Sequence, residues 1–197
     1  MLRFFWERRR RRGALAVAAL LLFGLWPLPL LEVYAWETGA GPALAYEAPL
    51  LPGAGFSIRY RHSIFQVGVE ERFRPAPQGF ALVEVASTTE EIADYYAFPR
   101  GRLVAASGHW RLLPGQDLTL SAPLRIRATP LGRRSLVVGE RCVPLAAFGE
   151  IVELRWRRVA LARWLWSAAG QTIFGKDVPS TCPVPAIATV STTMTSP

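Results

Sequence analysis

The sequence predicts a mainly β fold: an antiparallel β-sandwich or partly open barrel of short strands, with one N-terminal transmembrane helix and a candidate short C-terminal helix. Three observations support this. From Phe56 onward, apolar and polar residues alternate with a period of two, as in half-buried strands. Gly and Pro turn signals recur between these runs, which is typical of antiparallel sheets. Ahead of them, Gly13–Leu31 contains no charged residue.

The N-terminal segment is predicted to be an uncleaved membrane anchor. Five arginines, Arg8–Arg12, precede the apolar run Gly13–Leu31, and a helix needs ~20 apolar residues to cross a hydrocarbon core of ~30 Å. Because arginine is costly to translocate, residues 1–12 are expected in the cytoplasm, residues 13–31 in the inner membrane and the remainder in the periplasm. The alternative is a cleaved signal peptide, whose apolar region is usually ~7–15 residues long and ends at an A-x-A-like site.

The charge distribution argues against nucleic-acid binding. The formal net charge is +8, but residues 1–34 hold six arginines and two glutamates, which leaves 17 basic and 13 acidic residues in the body of the chain. A surplus of this size suits an acidic partner or lipid headgroup rather than a nucleic acid. Lys176 is the only lysine. This preference for arginine is interpreted as genomic base composition rather than as a set of recognition residues.

Residues 32–55 are predicted to be a spacer, because residues 37–55 are rich in Gly, Ala and Pro and have no periodicity. The exported β-domain is expected at residues 56–158. Its first strands are predicted at Phe56–His62, Val69–Phe73 and Phe80–Val85. Ser87 and Thr88 each lie three residues before a glutamate, so a short helical turn through Ala93–Tyr95 is expected to follow.

The second half repeats this pattern. Gly139-Glu140 is a two-residue hairpin loop with glycine first. Residues 159–175 contain Trp164, Trp166 and Arg163 and directly follow Arg157 and Arg158, and they predict either an interfacial amphipathic helix or a helix packed on the sheet. Residues 176–197 are predicted to be a flexible tail. The remaining strands are predicted at His109–Leu113, Leu118–Leu120, Leu124–Ala128, Leu136–Val138, Arg141–Val143 and Ile151–Trp156.

The two cysteines, Cys142 and Cys182, form an even pair that could be bonded in an oxidising compartment. The bond would close a loop of ~40 residues and contribute ~3–4 kcal/mol. Two free thiols are the equally weighted alternative. The paired spacings of a zinc site do not occur among these cysteines and the two histidines, so neither a metal nor a cofactor is predicted.

One group of residues is a candidate binding site. If the strands from Phe56 and Val69 pair around Phe65-Gln66, His62 lies opposite Glu71 with Cβ atoms ~5 Å apart. A carboxylate there would favour the charged imidazole. Ser63 follows His62 directly and so points to the other face, and no G-x-S-x-G elbow surrounds it, so no catalytic residue is predicted. The candidate binding residues are Tyr60, His62, Ser63, Glu71 and Phe73.

The stretches Phe56–Ser63 and Val69–Phe73 resemble the signature of an uncharacterised bacterial family, domain of unknown function 1850, which is encoded beside TAXI-type TRAP transporters. The family pattern runs Tyr-x-His-Ser, then a valine, a glutamate and an aromatic residue at matching offsets. Thr129–Arg133, with the segments around Leu136 and Val143, resembles the C-terminal half of that family. Gly68 departs from it, since proline is usual there. The resemblance implies an accessory role near a solute transporter.

Together these features predict a non-catalytic, membrane-anchored periplasmic accessory protein of a TAXI-type TRAP uptake system. Its expected partner is the permease or the solute receptor. The alternative is a periplasmic module that binds a small ligand or the cell envelope with the His62–Glu71 end of its sheet. An exported hydrolase using Ser63 or His62 is the least favoured hypothesis, because no motif supports it.

Overall fold

A computed structural model describes residues 23–37, 39, 41–51, 53–116, 118–170 and Cys182. Within these ranges the chain is built mainly of antiparallel strands, which confirms the predicted mainly β class. Helices α1 (Glu91–Tyr96) and α2 (Leu161–Gly170) and a 3-10 turn at Leu145–Ala147 are short additions. The strands are β1 (Pro27–Glu37), β2 (Gly41–Pro49), β3 (Phe56–Arg61), β4 (Gly68–Ala76), β5 (Gly79–Ser87), β6 (Arg102–Ala106), β7 (His109–Leu113), β8 (Leu118–Ser121), β9 (Leu124–Arg127), β10 (Ser135–Val138), β11 (Arg141–Pro144) and β12 (Ile151–Ala160).

The strands form two antiparallel sheets. The small sheet has the order β2-β1-β12-β9, and the large sheet has the order β11-β10-β3-β4-β5-β7-β6. β8 joins the large sheet separately: it pairs with Gly79–Leu82 of β5, whereas β7 pairs with Val85–Ser87 of the same strand. The chain therefore leaves the large sheet after β8 and enters the small one at β9.

Both sheets contribute to one hydrophobic core. Leu31, Val33 and Leu154 of the small sheet are fully buried, as are Val69 and Phe80 of the large sheet, and all belong to a single cluster. Their positions follow the period of two that the strands impose, since successive side chains point to opposite faces. Burial of this apolar surface is the main favourable contribution to folding.

The start of the domain differs from the prediction. Pro27–Leu31, the last part of the predicted membrane span, belongs to β1, and Leu30 and Leu31 are buried in the domain. The predicted spacer, residues 32–55, contributes the rest of β1 and all of β2. The reason is that β1 pairs with β12 on one side and with β2 on the other, so it is an interior strand of the small sheet. In the part of the chain that the structure describes, no helix is long and apolar enough to cross a membrane.

The remainder of the predicted span, residues 13–22, lies outside the described residues, as does the predicted tail at 176–197 apart from Cys182. The C-terminal helix begins at Leu161, since β12 continues to Ala160. Its Trp166 is 84% exposed and its Leu165 is also exposed, so these two side chains do not pack on the sheet.

Different segments of the chain lie at the two ends of the domain, which we call the proximal and the distal end. At the proximal end the chain enters β1 and leaves β12: Pro27 pairs with Ala160, and the Leu161 N–H donates to the Trp26 carbonyl at 3.0 Å. β3 runs from Phe56, which pairs with Phe73, to Arg61, which pairs with Gly68, and β5 ends at Ser87, which pairs with Val69. The β3–β4 loop and α1 therefore lie together at the distal end. The β4–β5 turn is at the proximal end.

Candidate functional site

The β3–β4 hairpin forms, but its register differs from the predicted one. Glu71 lies opposite Ile58 rather than His62, and Phe73 lies opposite Phe56 rather than Tyr60. The difference arises from the loop, which spans residues 62–67 and is closed by the His62 N–H donating to the Val67 carbonyl at 2.8 Å. A displacement of four positions is even, so every side chain keeps its predicted face.

His62 is therefore not paired with Glu71, and it stabilises its own loop instead. It is buried, and its Nδ1 accepts hydrogen bonds from the N–H groups of Ile64 at 3.3 Å and Phe65 at 3.4 Å. An Nδ1 that accepts carries no proton, so the imidazole is neutral with its hydrogen on Nε2. Burial lowers the pKa of His62, which favours this neutral form. The predicted His–Glu pair is wrong for this geometric reason.

Glu71 is instead bound by two tyrosines. The Tyr60 hydroxyl donates to Glu71 Oε1 at 3.2 Å, and the Tyr96 hydroxyl of α1 donates to the same oxygen. The two hydroxyl oxygens are 2.5 Å apart. We call Tyr60, Glu71 and Tyr96 the tyrosine–glutamate cluster. Tyr96 was not predicted, because nothing in the strand pattern indicates that α1 folds back over the end of β3 and β4.

The cluster favours a protonated carboxyl group. Burial raises the pKa of Glu71 against the opposing effect of the tyrosine hydrogen bonds and Arg134, and burial and the nearby carboxyl raise the pKa of Tyr60 and Tyr96. The polar atoms of the cluster thus satisfy one another.

The other two predicted site residues lie apart from this cluster. Ser63 is exposed in the loop, and its carbonyl accepts a hydrogen bond from Gln66 Nε2 at 2.5 Å. His62 Nδ1 is already occupied by the loop backbone, so it is not available to Ser63 as a base. Phe73 is buried in the core and stacks on Phe56, its partner on β3, with the ring centroids 5.3 Å apart, so it serves packing.

The distal end does present an apolar surface. Ile64 is 69% exposed, Tyr95 is 56% exposed and Phe65 is 39% exposed, and we call these three residues the distal patch. The buried His62 ring lies edge-on to Tyr95 at 4.5 Å between centroids and 5.2 Å from Phe65. The patch is thus formed by side chains from the β3–β4 loop and α1 around one imidazole, which holds the two segments together.

Buried carboxylates on the outer faces of both sheets are bound by arginines. On the large sheet, a continuous ion-pair chain crosses four strands with N···O distances of 2.5–3.0 Å: Arg59, Glu70, Arg72, Glu84 and Arg111. On the small sheet, Glu153 is fully buried and bound by two more arginines. Many arginines therefore have a structural task that composition alone did not indicate.

Cys142 of β11 and Cys182 form a disulfide, with Cα atoms 5.5 Å apart. The bond places Cys182 on the outer face of the large sheet, where Arg59 Nη1 lies 3.9 Å from its sulfur. No group of three or more His, Cys, Asp or Glu side chains that could hold a metal ion occurs among the described residues. His109, the second histidine, is buried with its Nδ1 3.2 Å from the Ser107 carbonyl.

These features define a two-sheet antiparallel β-domain with a self-satisfied tyrosine–glutamate cluster and an exposed apolar patch at one end. No protein-family model matches the chain, and no curated protein or solved structure matches it either. The family resemblance and the role it implies therefore stay predictions.

Proposed function

We propose that this chain is an exported, membrane-tethered binding domain that docks through its distal patch onto a protein partner. The observation that carries the proposal is the exposure of Ile64, Phe65 and Tyr95 around a buried histidine. Exposed apolar side chains that are held in place are typical of contact surfaces for partners. The patch includes the loop of the hairpin that resembles the transporter-associated family. The partner proposed is accordingly the permease or solute receptor of a TAXI-type TRAP uptake system.

A binding role without catalysis fits the local chemistry. The His62 acceptor nitrogen is occupied by backbone N–H groups, and Glu71 is occupied by two tyrosines. A general base must reach the proton that it abstracts, and an activated serine needs a base within hydrogen-bond reach. Neither condition is met around Ser63, so a hydrolase is not proposed.

The tether we propose is short. With Pro27 in β1, the apolar residues left ahead of the domain are Gly13–Trp26, which is 14 residues (26 − 13 + 1). As a helix they would rise ~21 Å, less than the ~30 Å of a hydrocarbon core. To span the core, such a helix would need local thinning of the bilayer. The side chains of the arginines at 8–12 would also have to extend to the membrane interface. The disulfide supports export, since these bonds persist in oxidising compartments.

N-terminal sequencing of the protein from native membranes tests the tether. Retention of the first residues supports it. A mature chain that begins close to Pro27 would show that the apolar segment is a cleaved signal peptide, and docking would then proceed without a tether.

Co-purification from native membranes under mild detergent tests docking. The wild-type chain is expected to recover transporter subunits, and Ile64→Ser combined with Phe65→Ser is expected to lose most of that recovery. Leu44→Ser is the matched control, because Leu44 is also an exposed apolar residue but lies on β2 in the small sheet. Equal recovery by the double variant and the control would refute docking through the distal patch, and recovery of no transporter subunit by the wild type would refute the assigned partner.

A further inference from the structure

A cleft opens between the two sheets at the proximal end, opposite the distal patch. Its volume is about 800 Å³, within the range of small-ligand pockets. One wall is the end of β12 with Pro29 of β1, and the other is the β4–β5 turn. Leu50 and Leu51, which lead from β2 toward β3, lie beside them. The cleft shares no residue with the tyrosine–glutamate cluster.

The cleft has apolar walls with a fixed aromatic ring. The indole nitrogen of Trp156 donates to the carbonyls of Ala76 at 3.1 Å and Gly79 at 2.8 Å, so its ring is held by the β4–β5 turn. Pro29, Leu51 and Pro75 add apolar surface, and Leu51 is 71% exposed. These residues can cover an apolar body but offer few groups that select a neutral polar ligand.

The charge in the cleft is of one sign. Arg74, Arg157 and Arg158 line it, and none of its described lining residues is acidic. Arg157 is already paired with Glu32 and Glu47 on the outer face of the small sheet. Arg158 lies over the Trp156 ring at 5.9 Å, and neither it nor Arg74 forms an ion pair with a described carboxylate. Both are exposed, so their guanidinium groups are free to bind an anion.

We infer that this cleft binds an amphiphilic anion, with a phosphate or carboxylate group held by Arg74 and Arg158 and an apolar body lying on Trp156 and the prolines. Guanidinium groups match the geometry of both anions and bind them with two parallel hydrogen bonds. Low-dielectric walls around charges of one sign concentrate such a ligand. A membrane lipid and a free organic anion share this chemistry.

The test uses the full chain in phosphatidylcholine nanodiscs and titration calorimetry with hexyl phosphate, after subtraction of empty nanodiscs. Saturable binding is expected. Combined Arg74→Gln and Arg158→Gln should weaken it by at least ~tenfold, since a hydrogen bond to a charged group typically contributes that much or more. The control, Arg102→Gln with Arg127→Gln, removes two exposed arginines outside the cleft and should change affinity by less than ~twofold. Thermal unfolding of each variant checks that the domain is intact.

Absence of saturable binding, or an equal loss in the control, would overturn the inference. Inorganic phosphate or hexanol binding as tightly as hexyl phosphate would also overturn it, because the cleft would then not recognise both the anionic and the apolar part of the ligand. A second arm separates the two sources by replacing phosphatidylcholine with phosphatidylglycerol. If the affinity of the wild type for hexyl phosphate then falls, while that of the arginine variant does not, a bilayer lipid occupies the cleft. If the affinity is unchanged, the occupant is a free anion. Docking at the distal patch is measured separately, so either result can fail alone.

Discussion

Replacing Glu71 by glutamine should make the domain more stable at neutral pH. The carboxyl group is enclosed by the Tyr60 and Tyr96 hydroxyls, and its burial raises its pKa above the ordinary value of 4.5. Above that value the unfolded chain releases this proton, while the folded chain retains it. The folded state thus binds more protons than the unfolded state, and stability falls as the pH rises from 4.5 to the pKa of the folded protein. Glutamine is neutral at every pH and avoids this loss.

The size of the effect follows from the same linkage. Each pH unit by which the folded pKa exceeds the unfolded one costs about 1.4 kcal/mol once the pH is above both. Glutamine keeps an oxygen that can accept from both tyrosines, so its gain should approach that cost at neutral pH and vanish below pH 4.5. Glu71→Ala removes the acceptor, so the loss of two hydrogen bonds should cost ~1–3 kcal/mol below pH 4.5. At neutral pH this cost should be smaller, because alanine also avoids the cost of ionising Glu71.

Urea unfolding of the wild type and both variants from pH 4 to 8 measures this directly. The free energy of unfolding of Glu71→Gln minus that of the wild type should grow with pH. A difference that is constant across the series would show that Glu71 has the same pKa in both states, and the account of the cluster would be wrong. Tyr96→Phe provides a check, since loss of its hydroxyl should change the slope of the wild type but not that of Glu71→Gln.

Three further predictions concern other buried groups. Although burial opposes it, hydrogen bonds from two arginines lower the pKa of Glu153, so its stabilisation is present above pH 4.5 and is lost as the pH falls. Because both arginines stay partly hydrated, Glu153→Gln should cost ~1–3 kcal/mol in urea unfolding at pH 7, whereas the exposed Glu140→Gln should cost less than ~0.5 kcal/mol. Burial lowers the pKa of His62, so its stabilisation is complete above pH 6.5 and declines as the pH falls below it. The protection of the amides of residues 64–66 from exchange, relative to their intrinsic rates, should therefore fall there in the wild type but not in His62→Asn, whose side-chain oxygen accepts at any pH. The disulfide closes a loop with a sequence separation of 40, so Cys142→Ser with Cys182→Ser should cost about 4 kcal/mol, and equal guanidinium midpoints with the oxidised wild type would contradict this.

The period of two was enough to place most strands but not β1, β2 or β6. Apart from β6, the strands predicted from Phe56 onward match strands of the structure. β6 (Arg102–Ala106) is an edge strand of the large sheet and was not predicted. Leu28–Leu31 continues the apolar run that begins at Gly13 without a break, and hydropathy alone does not distinguish a buried strand from the end of a membrane helix. Residues 41–45 of β2 are largely exposed at the edge of the small sheet, so they carry no apolar alternation. Pairing with β1 fixes this strand, and pairing is not visible in a local pattern.

The candidate site was predictable to the same extent. Tyr60 and Glu71 share a face in any even register, so their proximity survived the incorrect alignment of the hairpin. The partner of Glu71 could not be predicted, because it depends on a six-residue loop in which Gln66 has a φ of 56°. Tyr96 reaches the cluster from a helix 25 residues further along the chain. Contacts of that kind depend on the tertiary fold rather than on any spacing of residues in the sequence.

The face on which a glutamate lies decides how this domain accommodates it. On the outer faces, arginines with partly exposed side chains reach Glu70, Glu84 and Glu153, and a carboxylate there can stay charged because its partners remain hydrated. Glu71 points inward, where Tyr60 and Tyr96 are the available donors. Tyrosines offer hydrogen bonds but no compensating charge, and the opposing effect of Arg134 is smaller than that of burial, so the pKa of this carboxyl group is raised. Glu153 should therefore destabilise the fold as the pH falls, and Glu71 should do so as the pH rises. The distal patch surrounds neutral His62 and lies beside the tyrosine–glutamate cluster that contains Glu71. A fall in pH should loosen the β3–β4 loop through His62, whereas it should make the tyrosine–glutamate cluster more stable.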